Sequence, residues 1–230
     1  MENRSVPPRL GWIGDSLPDS ATWLAPYPYP DAGPTGHWLA DRYPHVLRIL
    51  HPAYIHDDGE PRAVTWSQVA TAVGAEMIVG TQFSEIVGAW FPNSVGRPDP
   101  CATIEGIFDT EPEMGSLPPE LIDVVYDHFD DVQSGLFWDG WGEFLDEPIR
   151  GCARVSDGLQ GWNYQVVTTT WSPAQRATRT RTPNFWWPAD QTWCGATGID
   201  EMDTLVASAD LARLKSVHAN PGLETQLYSR

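Results

Sequence analysis

Several segments of the chain have the alternating or continuous apolar pattern of β-strands. HVLRILHP places Val46 and its alternate neighbours on one face and ends at Pro52, which cannot extend strand pairing. WNYQVVTTTW, rich in β-branched and aromatic residues, is the strongest strand pattern in the sequence. NFWW, TWCGATGID and DTLVAS predict three more strands, and LFWDGWGEF predicts a strand or a tight hairpin that turns at Asp139 and Gly140.

Other segments have apolar positions at helical spacing. TWSQVATAVG begins with Thr65 and Gln68 in the spacing of a capping box and stops at Gly74, so it predicts a short helix. TQFSEIVGAW predicts a second helix. ADLARLKSVHANPG predicts the last helix, with Ser208 as its cap and an end before Pro221.

The clearest helical pattern is SLPPELIDVVYDHFDDVQSG. Two prolines occupy its first turn, where a helix tolerates them, and Ser134 with Gly135 marks the predicted end. Its aspartates fall largely away from the apolar stripe. That stripe consists of Leu121, Ile122, Val125, Phe129 and Val132.

The stretch FWWPADQTW predicts a hairpin with aromatic walls. Alternation along a strand places Phe185 and Trp187 on one side and Trp186 on the other. Asp190 caps the turn, and Trp193 begins the return strand, where it packs against Trp186 or Trp187. We interpret the hairpin mainly as a folding device, with an exposed hot-spot surface as the alternative.

Together these elements predict an α+β fold. We expect one domain over residues 37–230, with a mostly antiparallel sheet and packed helices, which suits a chain of 230 residues. Residues 1–36 are rich in proline, glycine and aromatic residues, so they predict an irregular arm laid over the surface.

The charge of the chain is strongly negative. There are 14 lysines and arginines against 31 aspartates and glutamates, a formal net charge of −17. Between Arg97 and Arg150 there is no lysine or arginine at all. Such a field repels nucleic-acid phosphates and anionic lipids and favours a basic protein partner, although solubility alone is an alternative explanation. We therefore expect no nucleic-acid and no membrane partner.

The predicted partner-binding residues combine this acidic stretch with the aromatic hairpin. Carboxylates attract a basic surface, and large aromatics often dominate the binding energy of an interface. These residues are Asp123, Asp127, Asp130, Asp131, Asp139, Glu143, Trp186 and Trp187.

Candidate catalytic chemistry is confined to one polar turn. The sequence has no phosphate-binding loop, no nucleophile elbow and no zinc motif, so we expect neither a cofactor nor a metal. His51 and His56 next to Asp57 and Asp58 are weak candidates for a general base, because the same residues make an ordinary polar turn. His45 is separated from His51 by about 20 Å along a strand, too far for one metal ion to bridge.

The cysteines and the absence of export signals predict a cytoplasmic protein. Cys101, Cys152 and Cys194 form no CxxC pair and leave an odd count, which favours reduced thiols. The N-terminal sequence lacks a signal peptide, and no apolar run has the length of a membrane span. We interpret Cys194 as a small buried thiol.

FWWPADQTW, followed by GIDEMDT and NPGLE, resembles the C-terminal motif WWPxDRxWCVxTEID of an uncharacterised actinobacterial protein family. LRILHPAY, TWSQVA and the block SLPPELID to GLFWDGWG add to a resemblance that covers residues 43–228 in scattered parts. The chain departs from the motif at Gln191, where the family has arginine, and at Val206 to Ser208, where it has a glycine turn. The resemblance implies no activity. In general form the chain is similar to SUKH-type immunity proteins.

These observations predict a non-enzymatic acidic binding protein, such as an immunity or inhibitor protein that covers a basic toxin. The alternative is a small cytoplasmic enzyme, hydrolase-like, with its site near residues 51–58. A structural adaptor without either feature is the third interpretation.

Overall fold

The structure is a computed structural model that describes residues 39–56, 59, 61–88, 103–140, 153–156, 163–168 and 181–229. The predicted arm of residues 1–36 lies outside these residues. The helices are α1 (Leu39–Arg42), α2 (Trp66–Val73), α3 (Phe83–Gly88), α4 (Pro119–Tyr126) and α5 (Leu211–His218). The strands are β1 (His45–Leu50), β2 (Ala53–Ile55), β3 (Arg62–Val64), β4 (Val132–Trp138), β5 (Ala153–Ser156), β6 (Asn163–Thr168), β7 (Phe185–Pro188), β8 (Trp193–Ala196), β9 (Asp203–Ser208) and β10 (Glu224–Ser229).

Eight of the described strands form one antiparallel sheet in the order β10-β1-β9-β8-β7-β4-β6-β5. β1 lies between β10 and β9, and Leu47 on β1 is opposite Leu227 on one side and Val206 on the other. The α+β class predicted from the sequence, with a mostly antiparallel sheet and packed helices, is confirmed.

Alternation along the strands gives the sheet two apolar faces. Helices α4 and α5 cover one face, where Leu121 and Leu214 contact a cluster that includes Leu47, Trp186 and Trp193. The opposite face carries a second cluster. It contains Val46, Phe185, Trp187, Cys194 and Leu205, together with Leu39 from α1. The two indoles of the FWW segment therefore lie on opposite faces, as the alternation predicted.

A third cluster lies beneath the two-stranded β2–β3 ribbon and helices α2 and α3. Three aromatic rings pack there at steep angles to one another, with ring centroids 5.3 Å apart for Trp66 and Phe83 and 5.5 Å apart for Phe83 and Phe108. The capping box predicted for α2 is present, with Thr65 accepting from the Gln68 backbone and the Gln68 side chain accepting from the Thr65 backbone. Capping satisfies backbone donors at the start of the helix and fixes where it begins.

A buried ion pair joins β1 to β9. Nε of Arg48 donates to Oδ2 of Asp203 at 2.5 Å, and its Nη1 donates to the carbonyl of Thr81 at 2.8 Å. The guanidinium also lies 5.0 Å from the ring centre of Trp66. Burial raises the pKa of Asp203, and the charge of Arg48 opposes that shift. A charge this deeply buried is stable only with its partner in place.

Two predicted boundaries are corrected by the structure. The helix expected to run to Ser134 ends at Tyr126, and Val132 is already the first residue of β4, which pairs with β6 and β7. The cap of α5 is Asp210, whose carboxylate accepts from the backbone of Ala212 and Arg213, and not Ser208, which lies at the end of β9. The other predicted strands and helices are confirmed where the structure describes them.

Candidate functional site

The acidic residues of α4 lie on its exposed side. Glu120, Asp123 and Asp127 follow one another at positions i, i+3 and i+7, which places them on one face of the helix and its C-terminal cap. Leu121 and Val125 occupy the opposite side and are buried against the sheet. The amphipathic pattern of α4 therefore presents a row of carboxylates to solvent.

The C-terminal end of α4 concentrates negative charge where a helix tolerates it least. Asp127 is the C-cap and Asp130 follows three residues later, both exposed, and the last turn of the helix contains no basic residue. The backbone carbonyls at a helix C-terminus carry a partial negative charge, so nearby carboxylates are unfavourable. We call Glu120, Asp123, Asp127 and Asp130 the acidic row.

The carboxylate of Asp131 is used within the fold. It accepts hydrogen bonds from Nε1 of Trp193 at 3.2 Å and from Nη1 of Arg213 at 3.2 Å. The Arg213 guanidinium lies over the rings of Phe129 and Trp193, 5.6 and 5.8 Å from their centres. Asp131 thus connects β8 and α5 to the end of the α4 segment, although the sequence had placed it among the docking residues.

Asp139 is not part of the same surface as the acidic row. It follows β4, whose seven residues carry it about 20 Å from the end near Asp131. Its Oδ1 accepts from Nε2 of Gln165 at 2.6 Å. Glu143 lies outside the described residues. The structure therefore separates Asp139 from the aspartates with which the sequence had grouped it.

The structure places Trp186 and Trp187 in the core. Their exposed fractions are 1% and 0%, so neither indole offers a surface to a partner in this conformation. Trp186 contacts Trp193 with ring centres 5.1 Å apart and Tyr126 at 4.8 Å. Asp190 closes the hairpin turn by accepting from the backbone and the hydroxyl of Thr192. The folding interpretation of the hairpin fits this geometry, and the partner-binding role of its two indoles does not.

His51, one of the weak catalytic candidates, belongs to a buried chain of hydrogen bonds. Its Nδ1 donates to the carbonyl of Glu113 at 2.7 Å, because a carbonyl can only accept. Its Nε2 therefore accepts from Oγ1 of Thr204 at 2.9 Å, and Thr204 lies 2.7 Å from the hydroxyl of Thr197. The chain defines one neutral tautomer of the imidazole.

Burial determines the protonation of His51. Loss of solvent is the main reason that the pKa of His51 falls from 6.5 to about 4, and the charge of Arg48 acts in the same direction. The side chain is 0% exposed. A general base must reach its substrate, so this histidine serves the fold and not catalysis in this conformation.

His56 is exposed and pairs with an aspartate that the sequence did not suggest. Its Nδ1 lies 2.6 Å from Oδ1 of Asp109, and its backbone N–H donates to Oδ2 of the same carboxylate at 2.7 Å. These hydrogen bonds lower the pKa of Asp109. Asp57 and Asp58 lie outside the described residues. Among the described residues, the side chain of His51 bonds to Glu113 and Thr204, whereas that of His56 bonds to Asp109.

A small apolar pocket opens beside the start of α4. Its volume is about 210 Å³. Its lining residues come from α4, from the ends of β1 and β3, from the cap of α2 and from the start of β10: Leu50, Pro52, Ala63, Thr65, Glu120, Leu121, Val124, Gly222 and Glu224. Sequence patterns did not reveal this pocket, because its walls come from four separate parts of the chain.

The structure describes only some of the residues to which the cysteine and metal predictions apply. Cys194 is fully buried, as expected, and burial raises the pKa of its thiol. Cys101 and Cys152 lie outside the described residues. Within the described ranges, no three His, Cys, Asp or Glu side chains gather into a group that could hold a metal ion. None of the described helices has the length and apolar character needed to cross a membrane.

Comparisons with known protein families, with curated proteins and with solved structures find no match to this chain.

Proposed function

We propose that the protein is a non-enzymatic binding protein whose acidic row covers a basic protein partner, in the manner of an immunity or inhibitor protein that neutralises a toxin. The observation that supports the proposal is the exposed group Asp123, Asp127 and Asp130 at the C-terminal end of α4. Carboxylates here repel one another and the helix end, so a cationic partner would relieve an unfavourable arrangement.

The net charge of the chain supports the same partner chemistry. A formal charge of −17 attracts cationic proteins over a distance and increases the rate of encounter. The steering field acts on any cationic protein, whereas the acidic row supplies a defined place for it to dock.

The test is capture of a partner from a lysate of the source cells by the tagged protein. The variant Asp123→Asn, Asp127→Asn, Asp130→Asn removes three charges from the acidic row and keeps side-chain size. A matched variant removes three exposed charges elsewhere: Glu76→Gln, Glu105→Gln and Asp200→Asn. We expect one stoichiometric basic protein, retained by the wild-type and matched proteins at physiological salt and lost by the acidic-row variant.

Two results would overturn this proposal. One is equal retention of the basic protein by the acidic-row variant and the wild-type protein. The other is equal loss from both triple variants, since that outcome assigns binding to net charge and not to α4.

A hydrolytic enzyme is the second proposal, and the His56–Asp109 pair supports it. A carboxylate on Nδ1 orients the imidazole, as in catalytic dyads. The test is turnover of a panel of nitrophenyl esters by the wild-type protein and by His56→Gln. Turnover lost in His56→Gln and kept in the exposed-histidine control His218→Gln supports a hydrolase. If turnover is absent, or equal in all three proteins, the hydrolase proposal is wrong.

A further inference from the structure

The pocket beside α4 has polar side chains that are already satisfied. Both oxygens of Glu224 accept from the start of α2, from the backbone of Trp66 at 2.5 Å and from that of Ser67 at 2.9 Å. Thr65 exchanges hydrogen bonds with Gln68 in the capping box. A polar ligand would therefore find no open partner among these two residues, whereas Leu50, Leu121 and Val124 offer apolar surface.

The size of the pocket suits a side chain better than a cofactor. Small-molecule sites usually have about 300–1,000 Å³, and this pocket has about 210 Å³. Protein interfaces commonly insert one anchoring side chain into a pocket of limited size. The dimensions thus favour one residue of a partner chain as the occupant.

The pocket and the acidic row share helix α4. Glu120 and Val124 are one turn apart, and both line the pocket, while Asp123 and Asp127 continue the row away from it. The Glu120 side chain is exposed. Its carboxylate is therefore available at the pocket mouth, beside an apolar interior.

We propose that this pocket receives an aliphatic side chain from a basic segment of the partner, with Glu120 and the rest of the acidic row contacting the flanking lysines or arginines. The inference rests on the binding function proposed above and specifies its recognition: an apolar anchor between positive charges. Basic charge alone binds many surfaces, so the anchor would provide selectivity.

The experiment measures binding of two labelled peptides, GKKLKKG and GKKSKKG, by fluorescence anisotropy at low salt. We expect the leucine peptide to bind about tenfold or more tightly than the serine peptide, since burial of leucine contributes that much. Binding should also shift the methyl NMR signals of Leu121 and Val124.

Two matched variants locate the binding site. Ala63→Trp fills the pocket from β3, and Ala72→Trp adds the same bulk to an exposed position of α2 outside it. We expect Ala63→Trp to abolish the preference for leucine and Ala72→Trp to keep it. If Ala63→Trp fails to fold, Ala63→Leu introduces a smaller insertion at the same position.

The outcomes separate this inference from the proposed function. Three results would overturn the inference that the pocket binds an aliphatic side chain. These are equal affinity for the two peptides, an undiminished preference for leucine in Ala63→Trp, and no binding of either peptide. If the pocket fails these tests but the affinity for both peptides falls in the acidic-row variant, the proposed acidic docking surface is supported and the anchoring pocket is not. If the leucine preference holds while the acidic-row variant binds both peptides normally, the pocket stands and the acidic docking surface fails.

Discussion

Trp186 on β7 lies so close to Gly195, its register partner on β8, that a Cβ atom built on Gly195 would be 2.1 Å from Cε2 of the indole. The indole of Trp186 occupies the space that a side chain at position 195 would fill. Trp193, two residues before Gly195, then contacts the same indole. The glycine is required here for space, which is why an aromatic hairpin can close beneath α4.

Gly195→Ala should destabilise the protein by about 1–3 kcal/mol, because the added methyl group forces Trp186 or β8 to move. The same substitution in a Trp186→Phe background should have a smaller effect, since the ring that it meets is smaller. Urea unfolding of the four proteins measures this coupling. Gly88→Ala is the control, because its methyl group would meet nothing within 4 Å. Equal losses at the two glycines would contradict the steric explanation.

Asp123→Asn should stabilise the isolated protein by about 0.3 kcal/mol, because it removes a negative charge from the last turn of α4, which contains no basic residue. Asp210→Asn makes the same change at the N-terminal cap of α5, where the charge is favourable and asparagine still caps the helix, so it should slightly destabilise. Urea unfolding at low salt compares them. If both substitutions changed stability in the same direction, the helix ends would not be responsible.

Stability should fall as the pH is lowered from about 6.5 to about 4, and His51 should account for much of the fall. The folded state keeps His51 neutral through this range while the unfolded chain takes up a proton, so the unfolded state binds more protons and stability rises with pH. The full difference is about 3 kcal/mol. Urea unfolding from pH 4 to pH 7 should show a steeper slope for the wild-type protein than for His51→Gln. Identical slopes would exclude the histidine as the cause.

Asp131→Ala should destabilise the protein by about 1 kcal/mol or more, because Nε1 of Trp193 loses its acceptor and Arg213 loses its ion pair. The carboxylate is 40% exposed, so solvent weakens the ion-pair contribution. Asp123→Ala, on the exposed face of α4, is the control and should change stability little. Thermal unfolding distinguishes the two, and equal stability would mean that Asp131 is not a structural residue.

Elements whose signals are local in sequence could be predicted well. The capping box of Thr65 and Gln68 and the stop at Gly74 involve neighbours within one helix, so the sequence fixes both ends of α2. The alternation of Phe185, Trp186 and Trp187 likewise follows from the geometry of any strand. The fold class followed from such elements.

The end of α4 could not be predicted in this way. Phe129 and Val132 continue a helical spacing, but Val132 pairs with Pro188 on β7 instead. The candidate site could not be predicted fully either, because its contacts also join residues that are distant in sequence. The aspartates of the acidic stretch look alike in the sequence. In the structure Asp131 accepts hydrogen bonds from Trp193 and Arg213, and Asp139 accepts one from Gln165.

The sequence by itself determined the α+β class, the capping box of α2, the aromatic alternation and the negative charge, because each depends on composition or on residues a few positions apart. Tertiary structure alone decided which of the candidate side chains are exposed and which are buried or bonded within the fold. It buried His51 against Thr204 and placed Asp109 beside His56, contacts that span 153 and 53 residues. It also built the pocket beside α4 from four separate segments. Burial and long-range hydrogen bonding set these features, and neither is encoded by a local pattern.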